Sequence, residues 1–205
     1  MNTATAPQEC LQSYYAIHAR VYDATRWSFL FGREVILRRA ADFIRPLSIL
    51  EVGCGTGRNL LSLRKRFPEA AITGLDLSEH MLDVARQKLP DLNYIQRAYD
   101  SPVGGFDLIL CSYALSMFNP GWDHAIGTAA QDLNPGGIIA VVDFSHTRAP
   151  WFERWMAINH VRMQGHLWPV LHSSFTVLSD SCQAAYGGLW HYRMFIGRKK
   201  GVFRT

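Results

Sequence analysis

The sequence contains no apolar run that approaches the roughly 18 residues of a membrane-spanning helix. It has only four cysteines, and none of them forms a C-x-x-C pair, which argues against a metal site and against a disulfide framework. Residues 1–9 are polar and lack the basic and apolar segments of a secretion signal. We therefore expect a cytoplasmic protein with reduced thiols.

Charge is also scarce, since Asp, Glu, Lys and Arg make up 19% of the 205 residues and the net charge is +4. The basic residues form small scattered clusters without the aromatic motifs of a nucleic-acid-binding module, so we expect no nucleic-acid partner. These clusters either lie on solvated helix faces or attract the protein weakly to an anionic membrane surface. The apolar content of 48% suits one globular domain with a full core.

Glycine is concentrated where it is most informative, in Glu51-Val-Gly-Cys-Gly-Thr-Gly57. An apolar run precedes this segment and an amphipathic run follows it, which predicts a strand, a tight turn and a helix. Asp76 ends the next apolar run, residues 71–75. An acid at the tip of a second strand is well placed to accept both hydroxyls of a ribose.

The spacing favours S-adenosylmethionine over a dinucleotide. In the dinucleotide fingerprint G-x-G-x-x-G a helix N-terminus faces a pyrophosphate, whereas here the third glycine comes one residue early. S-adenosylmethionine has no phosphate and carries an ammonium, which Glu51 lies close enough to bind. The remaining alternatives are a glycine turn without a ligand, an NAD-dependent oxidoreductase and a catalytically silent subunit that retains coenzyme binding.

Strand and helix patterns alternate along the chain, which predicts a mostly parallel, doubly wound α/β sheet with a ligand at the carboxyl ends of its strands. An extended C-terminal region with an antiparallel hairpin follows, from about residue 175 to 203. The predicted strands are residues 48–52, 71–75, 92–96, 106–111 and 138–142; the predicted helices are 59–67, 78–88, 122–132 and 151–165, after a helical preamble at 10–45.

Four of these segments together resemble the class I S-adenosylmethionine-dependent methyltransferases: residues 49–57, 74–82, 106–110 and 133–137. The resemblance implies a Rossmann-like fold in which a mostly parallel seven-stranded sheet carries helices on both faces. Residues 1–45 would form an N-terminal helical lid, and residues 46–205 the coenzyme-binding core. The product would be S-adenosylhomocysteine.

The same resemblance assigns the coenzyme-binding residues. The glycine loop would cradle the methionyl part, Asp76 would hold the ribose, and an acid after the third strand would bind the adenine amino group. Met81 is alternatively a core residue of its helix. The implied residues are Glu51, Gly53, Cys54, Gly55, Gly57, Asp76, Leu77, Met81, Tyr99, Asp100 and Ser112, with Tyr113 near the reacting sulfur.

The N-terminal segment is unusually aromatic, and residues 18–33 resemble the N-terminus of the betaine-lipid N-methyltransferases. That family converts diacylglyceryl-homoserine to its trimethylated betaine, which implies a separate partner enzyme that makes the homoserine lipid. The alternatives are core packing of the aromatic stripe, or another acceptor such as phosphatidylethanolamine, a quinone or a small amine. The predicted substrate-binding residues are Tyr14, Tyr15, His18, Tyr22, Arg26, Trp27 and Asp143.

An α-amino group has a pKa near 8, so positioning should contribute more to its methylation than a strong base does. Tyr22, His146 and Tyr113 are the candidate catalytic residues. Trp151, Trp155 and Ile158 recur at helical spacing. They either pack on the sheet or form an interfacial patch that attaches the protein peripherally to the inner face of a membrane, where its lipid substrate lies.

Overall fold

The computed structural model describes residues 30–158, 161–163 and 165–201. The predicted contacts of Tyr14, Tyr15, His18, Tyr22, Arg26 and Trp27, and most of the predicted lid, lie outside these residues. The described helices are α1 (Arg33–Phe43), α2 (Arg58–Arg66), α3 (Glu79–Lys88), α4 (Trp122–Asp132), α5 (Pro150–Ile158) and α6 (Leu167–Ser174).

In the described part of the chain, seven strands form one sheet in the order β3-β2-β1-β4-β5-β7-β6. The sheet is mixed, because β7 runs antiparallel to both β5 and β6 while the other paired strands run parallel. The predicted strand number and the C-terminal antiparallel hairpin are therefore confirmed. The strands are β1 (Ser48–Val52), β2 (Ala71–Asp76), β3 (Asn93–Gln96), β4 (Phe106–Ser112), β5 (Leu133–Thr147), β6 (Phe175–Ala185) and β7 (Trp190–Lys199).

Local sequence explains where these elements begin and end. Ser78 caps α3, since its hydroxyl accepts a hydrogen bond from the Met81 amide at 3.4 Å. The central strands bury almost every residue, as parallel strands covered on both faces do. One face of the sheet packs against α4 and α6, with Ile109, Val141 and Leu171 in the shared core.

Two predictions at the C-terminal half need correction. The fifth strand is longer than residues 138–142. The predicted turn is still present within it, because the four residues from Asn134 to Gly137 lie opposite the single residue Asp107 and interrupt the pairing with β4. The predicted helix at 151–165 is not continuous, because residues 161–163 are not helical, and α6 was not predicted. Among the described residues no helix is long and apolar enough to cross a membrane.

The chain directions bring the carboxyl ends of β1, β2, β4 and β5 to one edge of the sheet. The glycine turn follows β1 at this edge, and Asp76 ends β2 beside it. Tyr113 follows β4, and Asp143 lies within β5 beside it. The fold thus gathers at one edge many of the side chains that the sequence singles out, as expected for ligand sites in open α/β sheets.

Candidate active site

The glycine turn is held in a conformation that side chains rarely adopt. Gly53, Gly55 and Gly57 have φ angles of 69°, 52° and 80°. The amides of Gly53 and Cys54 both donate to the carbonyl of Leu75, at 2.8 and 3.0 Å, and this ties the turn to β2. A Cβ atom on Gly53 would lie 2.7 Å from the Ala114 Cβ, so glycine is required there.

Asp76 connects the glycine turn to the start of α3. Its carboxylate accepts one hydrogen bond from the Gly55 amide at 2.8 Å and another from the Ser78 amide at 2.9 Å. The turn and the acid, 21 positions apart in the sequence, therefore form one preorganised unit. A half-buried carboxylate fixed in this way retains lone pairs with which to accept the hydroxyls of a ribose.

A cavity of about 450 Å³ opens beside this unit, which is within the usual size range for small-ligand sites. The structure brings five of the predicted coenzyme-binding residues to its wall. Residues 117–121 form the facing wall, and nothing in their sequence pattern identified them. The lining residues are Gly53, Leu75, Asp76, Leu77, Arg97, Ala98, Tyr99, Asp100, Met117, Phe118, Asn119, Pro120 and Gly121.

Tyr99 and Asp100 lie at the cavity in different roles. Tyr99 is buried, and its hydroxyl donates to the Asp132 carboxylate at 2.9 Å, so its ring forms a fixed part of the wall. Asp100 is exposed and accepts a hydrogen bond from the Arg97 guanidinium at 3.1 Å. That hydrogen bond lowers the pKa of Asp100. The predicted contact of Asp100 with adenine stays a prediction, in competition with Arg97.

Glu51 is 1% exposed at the end of β1. One of its oxygens accepts a hydrogen bond from the Asn59 amide group at 2.7 Å, and the other has no hydrogen-bond partner. Burial raises the pKa of Glu51 to about 8, although the Asn59 hydrogen bond and the Arg33 charge act to lower it. An ammonium group would supply the missing partner, so this site fits the amino group of S-adenosylmethionine.

The other predicted coenzyme residues surround the turn without lining the cavity. Cys54 is buried beside the strand ends, and burial raises the pKa of its thiol, so it stays a neutral packing group. Gly57 is the residue from which α2 starts, and Met81 is half-buried in the first turn of α3. The hydroxyl of Ser112 is buried at the end of β4 and lacks a hydrogen-bond partner. A contact of Ser112 with the coenzyme stays a prediction.

Tyr113 occupies the turn after β4, with a φ of 56°. Its ring is buried and packs edge-on against Phe144 at a centroid distance of 4.7 Å. Burial and the nearby Asp143 charge raise the pKa of Tyr113 well above its ordinary value. Tyr113 therefore keeps its proton at physiological pH and can orient a neighbour by hydrogen bonding, but it is a poor base.

Asp143 is fully buried, and its predicted contact with an acceptor would need the loop after β4 to open. Its carboxylate accepts hydrogen bonds from the Ser116 amide at 3.0 Å and from the Phe144 amide at 2.8 Å. The observed contacts hold that loop against β5. The substrate-binding role of Asp143 stays a prediction, and its visible role is to support the site.

His146 lies on the exposed end of β5, away from the cavity, and stacks on His191 with ring centroids 4.2 Å apart. Desolvation in this stack and the charges of His191 and Arg148 lower the pKa of His146. His191 was not predicted, because the pairing of β5 with β7 sets two residues 45 positions apart side by side. No group of described His, Cys, Asp or Glu residues could hold a metal ion.

Sequence comparisons agree with this geometry. A profile described as a methyltransferase domain matches residues 49–137. The chain is 37% identical over 108 residues to a trans-aconitate 2-methyltransferase of Deinococcus radiodurans, a match that covers 51% of this chain and 42% of that enzyme. The chain thus spans less than half the length of this relative.

A longer match links the chain to an enzyme that methylates an amine. It is 31% identical over 176 residues to the dTDP-3-amino-3,4,6-trideoxy-alpha-D-glucopyranose N,N-dimethyltransferase of Streptomyces venezuelae, covering 74% of this chain and 67% of that one. Among solved structures, the N-methyltransferase NodS of Bradyrhizobium japonicum, in complex with S-adenosyl-L-homocysteine, superposes with a TM-score of 0.68. The superposition covers 82% of this chain and 86% of NodS at 18% identity, which shows a shared fold. The coenzyme is S-adenosylmethionine, and the chain belongs to the class I S-adenosylmethionine-dependent methyltransferases.

Proposed function

We propose that this protein is an N-methyltransferase that successively methylates the amino group of diacylglyceryl-homoserine to give the trimethylated betaine lipid. The observation that carries an amine acceptor is the match to the N,N-dimethyltransferase. That match spans 176 residues, whereas the methyltransferase-domain profile spans residues 49–137. The similarity therefore extends beyond the coenzyme-binding segment.

The lipid nature of the acceptor has two separate supports. Residues 18–33 resemble the N-terminus of the betaine-lipid N-methyltransferases. In addition, α5 begins shortly after β5, the strand that contains Asp143, and it exposes two tryptophans. The lipid precursor must come from a separate enzyme that joins homoserine to diacylglycerol, and association with that enzyme is part of the proposal.

The chemical demands on the protein are modest. When bound, S-adenosylmethionine supplies an electrophilic methyl group and leaves as S-adenosylhomocysteine. The acceptor nitrogen must be neutral, and an α-amino group with a pKa near 8 is partly neutral at pH 7. His146 does not line the cavity, so the proton released in each of the first two transfers passes to water. The lowered pKa of His146 keeps its imidazole neutral at pH 7, and it can take up such a proton from solvent. Tyr113, and Tyr22 outside the described residues, would orient the amine.

The direct test is incubation of the protein with isotopically labelled S-adenosylmethionine and a lipid extract that contains diacylglyceryl-homoserine. Mass spectrometry should then show that lipid with one, two and three added methyl groups. Phosphatidylethanolamine, a quinone, a small amine and trans-aconitate are assayed in parallel as rival acceptors. Label on one of these and none on the homoserine lipid would refute the proposal.

A further inference from the structure

Arg97 is, among the described residues, the one basic side chain in the wall of the coenzyme cavity. It directly follows β3, whose last residue, Gln96, is paired with Asp76 at the end of β2. The Arg97 amide also donates to the Asp76 carbonyl at 3.2 Å. Arg97 therefore lies one strand beyond the acid that fits the ribose.

The order of the strand ends directs the adenine ring of the coenzyme towards Arg97. Glu51 at the end of β1 fits the amino group of the coenzyme, and Asp76 at the end of β2 fits the ribose. The base and the sulfur are attached to opposite ends of the ribose, so the base extends from Asp76 towards the segment that follows β3. Tyr99 and Phe118 line the same cavity and offer ring surface on which a base can pack.

Neighbouring groups hold the Arg97 guanidinium in place. Its Nε donates to the Ala98 carbonyl at 3.2 Å, and its Nη2 donates to Asp100 Oδ1 at 3.1 Å and to the Ser101 hydroxyl. None of these contacts uses Nη1. A planar guanidinium that is anchored through Nε and Nη2 can donate to a ligand through Nη1 without losing its position.

Asp100 is an ionised acceptor beside this donor. The hydrogen bond from Arg97 lowers the pKa of Asp100, so at pH 7 the group is a carboxylate, which only accepts hydrogen bonds. Arg97 and Ser101 both contact Oδ1. They therefore compete with a ligand for that oxygen, whereas neither of these contacts uses Oδ2.

We propose that Arg97 determines the specificity of the site for adenine: its Nη1 donates to a ring nitrogen beside the amino group of the base, while Asp100 Oδ2 accepts from that amino group. Adenine offers this combination, because its N6 amino group donates and the ring nitrogens N1 and N7 on either side accept. A purine with an oxygen at position 6 would place that oxygen against the Asp100 carboxylate. The inference concerns the coenzyme and does not depend on the identity of the acceptor.

Calorimetric titration with S-adenosylhomocysteine and two analogues, in which carbon replaces N1 or N7, tests the role of Arg97. Arg97→Met should bind S-adenosylhomocysteine about tenfold more weakly than the wild type does. The wild type should lose about as much affinity for one of the two analogues, and for that analogue Arg97→Met should cause no further loss. Wild-type affinity of Arg97→Met for S-adenosylhomocysteine, or an equal loss on all three ligands, would overturn the proposal.

Arg86→Met is the matched control. Arg86 pairs with Asp83, three positions away, just as Arg97 pairs with Asp100, and the side chains of Arg86 and Arg97 are 41% and 39% exposed. Arg86 does not line the cavity, so Arg86→Met should bind S-adenosylhomocysteine as the wild type does. A similar loss in both variants would show that removal of any surface charge weakens binding, and would also overturn the proposal.

A second ligand tests the part of Asp100. S-inosylhomocysteine, which has an oxygen at position 6, should bind the wild type at least about tenfold more weakly than S-adenosylhomocysteine. Asp100→Asn should reduce this discrimination, because an amide can donate to the oxygen. Equal binding of the two ligands by the wild type would overturn the proposal, and this comparison needs no variant. Melting temperatures without coenzyme check that each variant is folded.

Discussion

Glu51 is a buried carboxyl whose charge depends on what lies beside it. Burial raises its pKa to about 8, with Asp76 adding to the effect and Asn59 and Arg33 opposing it. The thiols of Cys54 and Cys111 are also buried near Glu51, and its charge helps to raise their pKa values. In the free protein at pH 7 the carboxyl is mostly neutral. An ammonium group favours the ionised form, so coenzyme binding should release a proton from Glu51.

We predict that the affinity for S-adenosylhomocysteine rises about tenfold between pH 6 and pH 7, rises about fivefold more up to pH 8, and levels off above pH 8. The sign follows from the raised pKa, because the binding-competent carboxylate becomes more populated as pH rises through this range. Calorimetric titrations in buffers of different ionisation enthalpy should detect the released proton. Glu51→Gln should bind more weakly and lose this pH dependence. A Gln variant with the wild-type pH profile would remove Glu51 from this role.

Gly53 and Gly55 allow two reasons for a glycine in this turn to be distinguished, namely backbone conformation and lack of room for a side chain. Both have positive φ, but a Cβ on Gly53 would collide with Ala114, whereas a Cβ on Gly55 meets nothing within 4 Å. We predict that Gly53→Ala lowers the free energy of unfolding by about 2–3 kcal/mol and Gly55→Ala by about 1 kcal/mol. Urea titration of both variants without coenzyme measures the difference. Equal losses would show that backbone strain alone decides.

At the scale of elements, Asp180 holds α6 against the β6–β7 hairpin. Its carboxylate accepts hydrogen bonds from the Arg193 guanidinium and lies 2.6 Å from the His172 ring nitrogen on α6. The Arg193 guanidinium also lies over the Trp168 ring at 5.5 Å. Burial alone would raise the pKa of Asp180, but the hydrogen bonds of Arg193 and His172 outweigh it and lower that pKa.

We predict that Asp180→Asn lowers the free energy of unfolding by roughly 1–3 kcal/mol at pH 7. A carboxylate whose pKa is lowered in the folded state stabilises the fold at pH values above its pKa in the unfolded chain, which is near 4. This stabilisation is lost as the pH falls through the pKa that the group has in the folded state. The two proteins should therefore unfold at more similar urea concentrations at pH 3. Asp83→Asn is the control, because Asp83 and Arg86 form an exposed pair worth less than about 1 kcal/mol.

At the scale of the whole molecule, local patterns predicted the elements that local chemistry determines. β1 and α4 have the predicted bounds, because glycine or proline delimits an apolar run or an amphipathic one. The glycine turn and Asp76 could be placed together as well, since parallel strands end at a common edge. α6 was not predicted, because Pro169 lies inside it and its two ends carry no capping signal.

Contacts between segments distant in sequence could not be predicted in this way. The stack of His146 on His191 depends on the register of β5 with β7, and that register shifts between Phe144 and His146. The cavity wall at residues 117–121 depends on how the loop after β4 folds back. The ion pair of Asp100 with Arg97 competes with the predicted contact of Asp100 with adenine, and a sequence pattern does not show which of the two is favoured.

The coenzyme should stabilise the whole fold, because the turn, Asp76 and the cavity wall belong to elements spread across the sheet. S-adenosylhomocysteine at about 100 times its Kd should add about 2.7 kcal/mol to the free energy of unfolding. For a chain of 205 residues this raises the melting temperature by about 5–10 °C. NAD should give no shift, since its pyrophosphate would lie next to Glu51 and Asp76. Differential scanning fluorimetry measures both ligands, and an equal shift with NAD would contradict the assignment of the site.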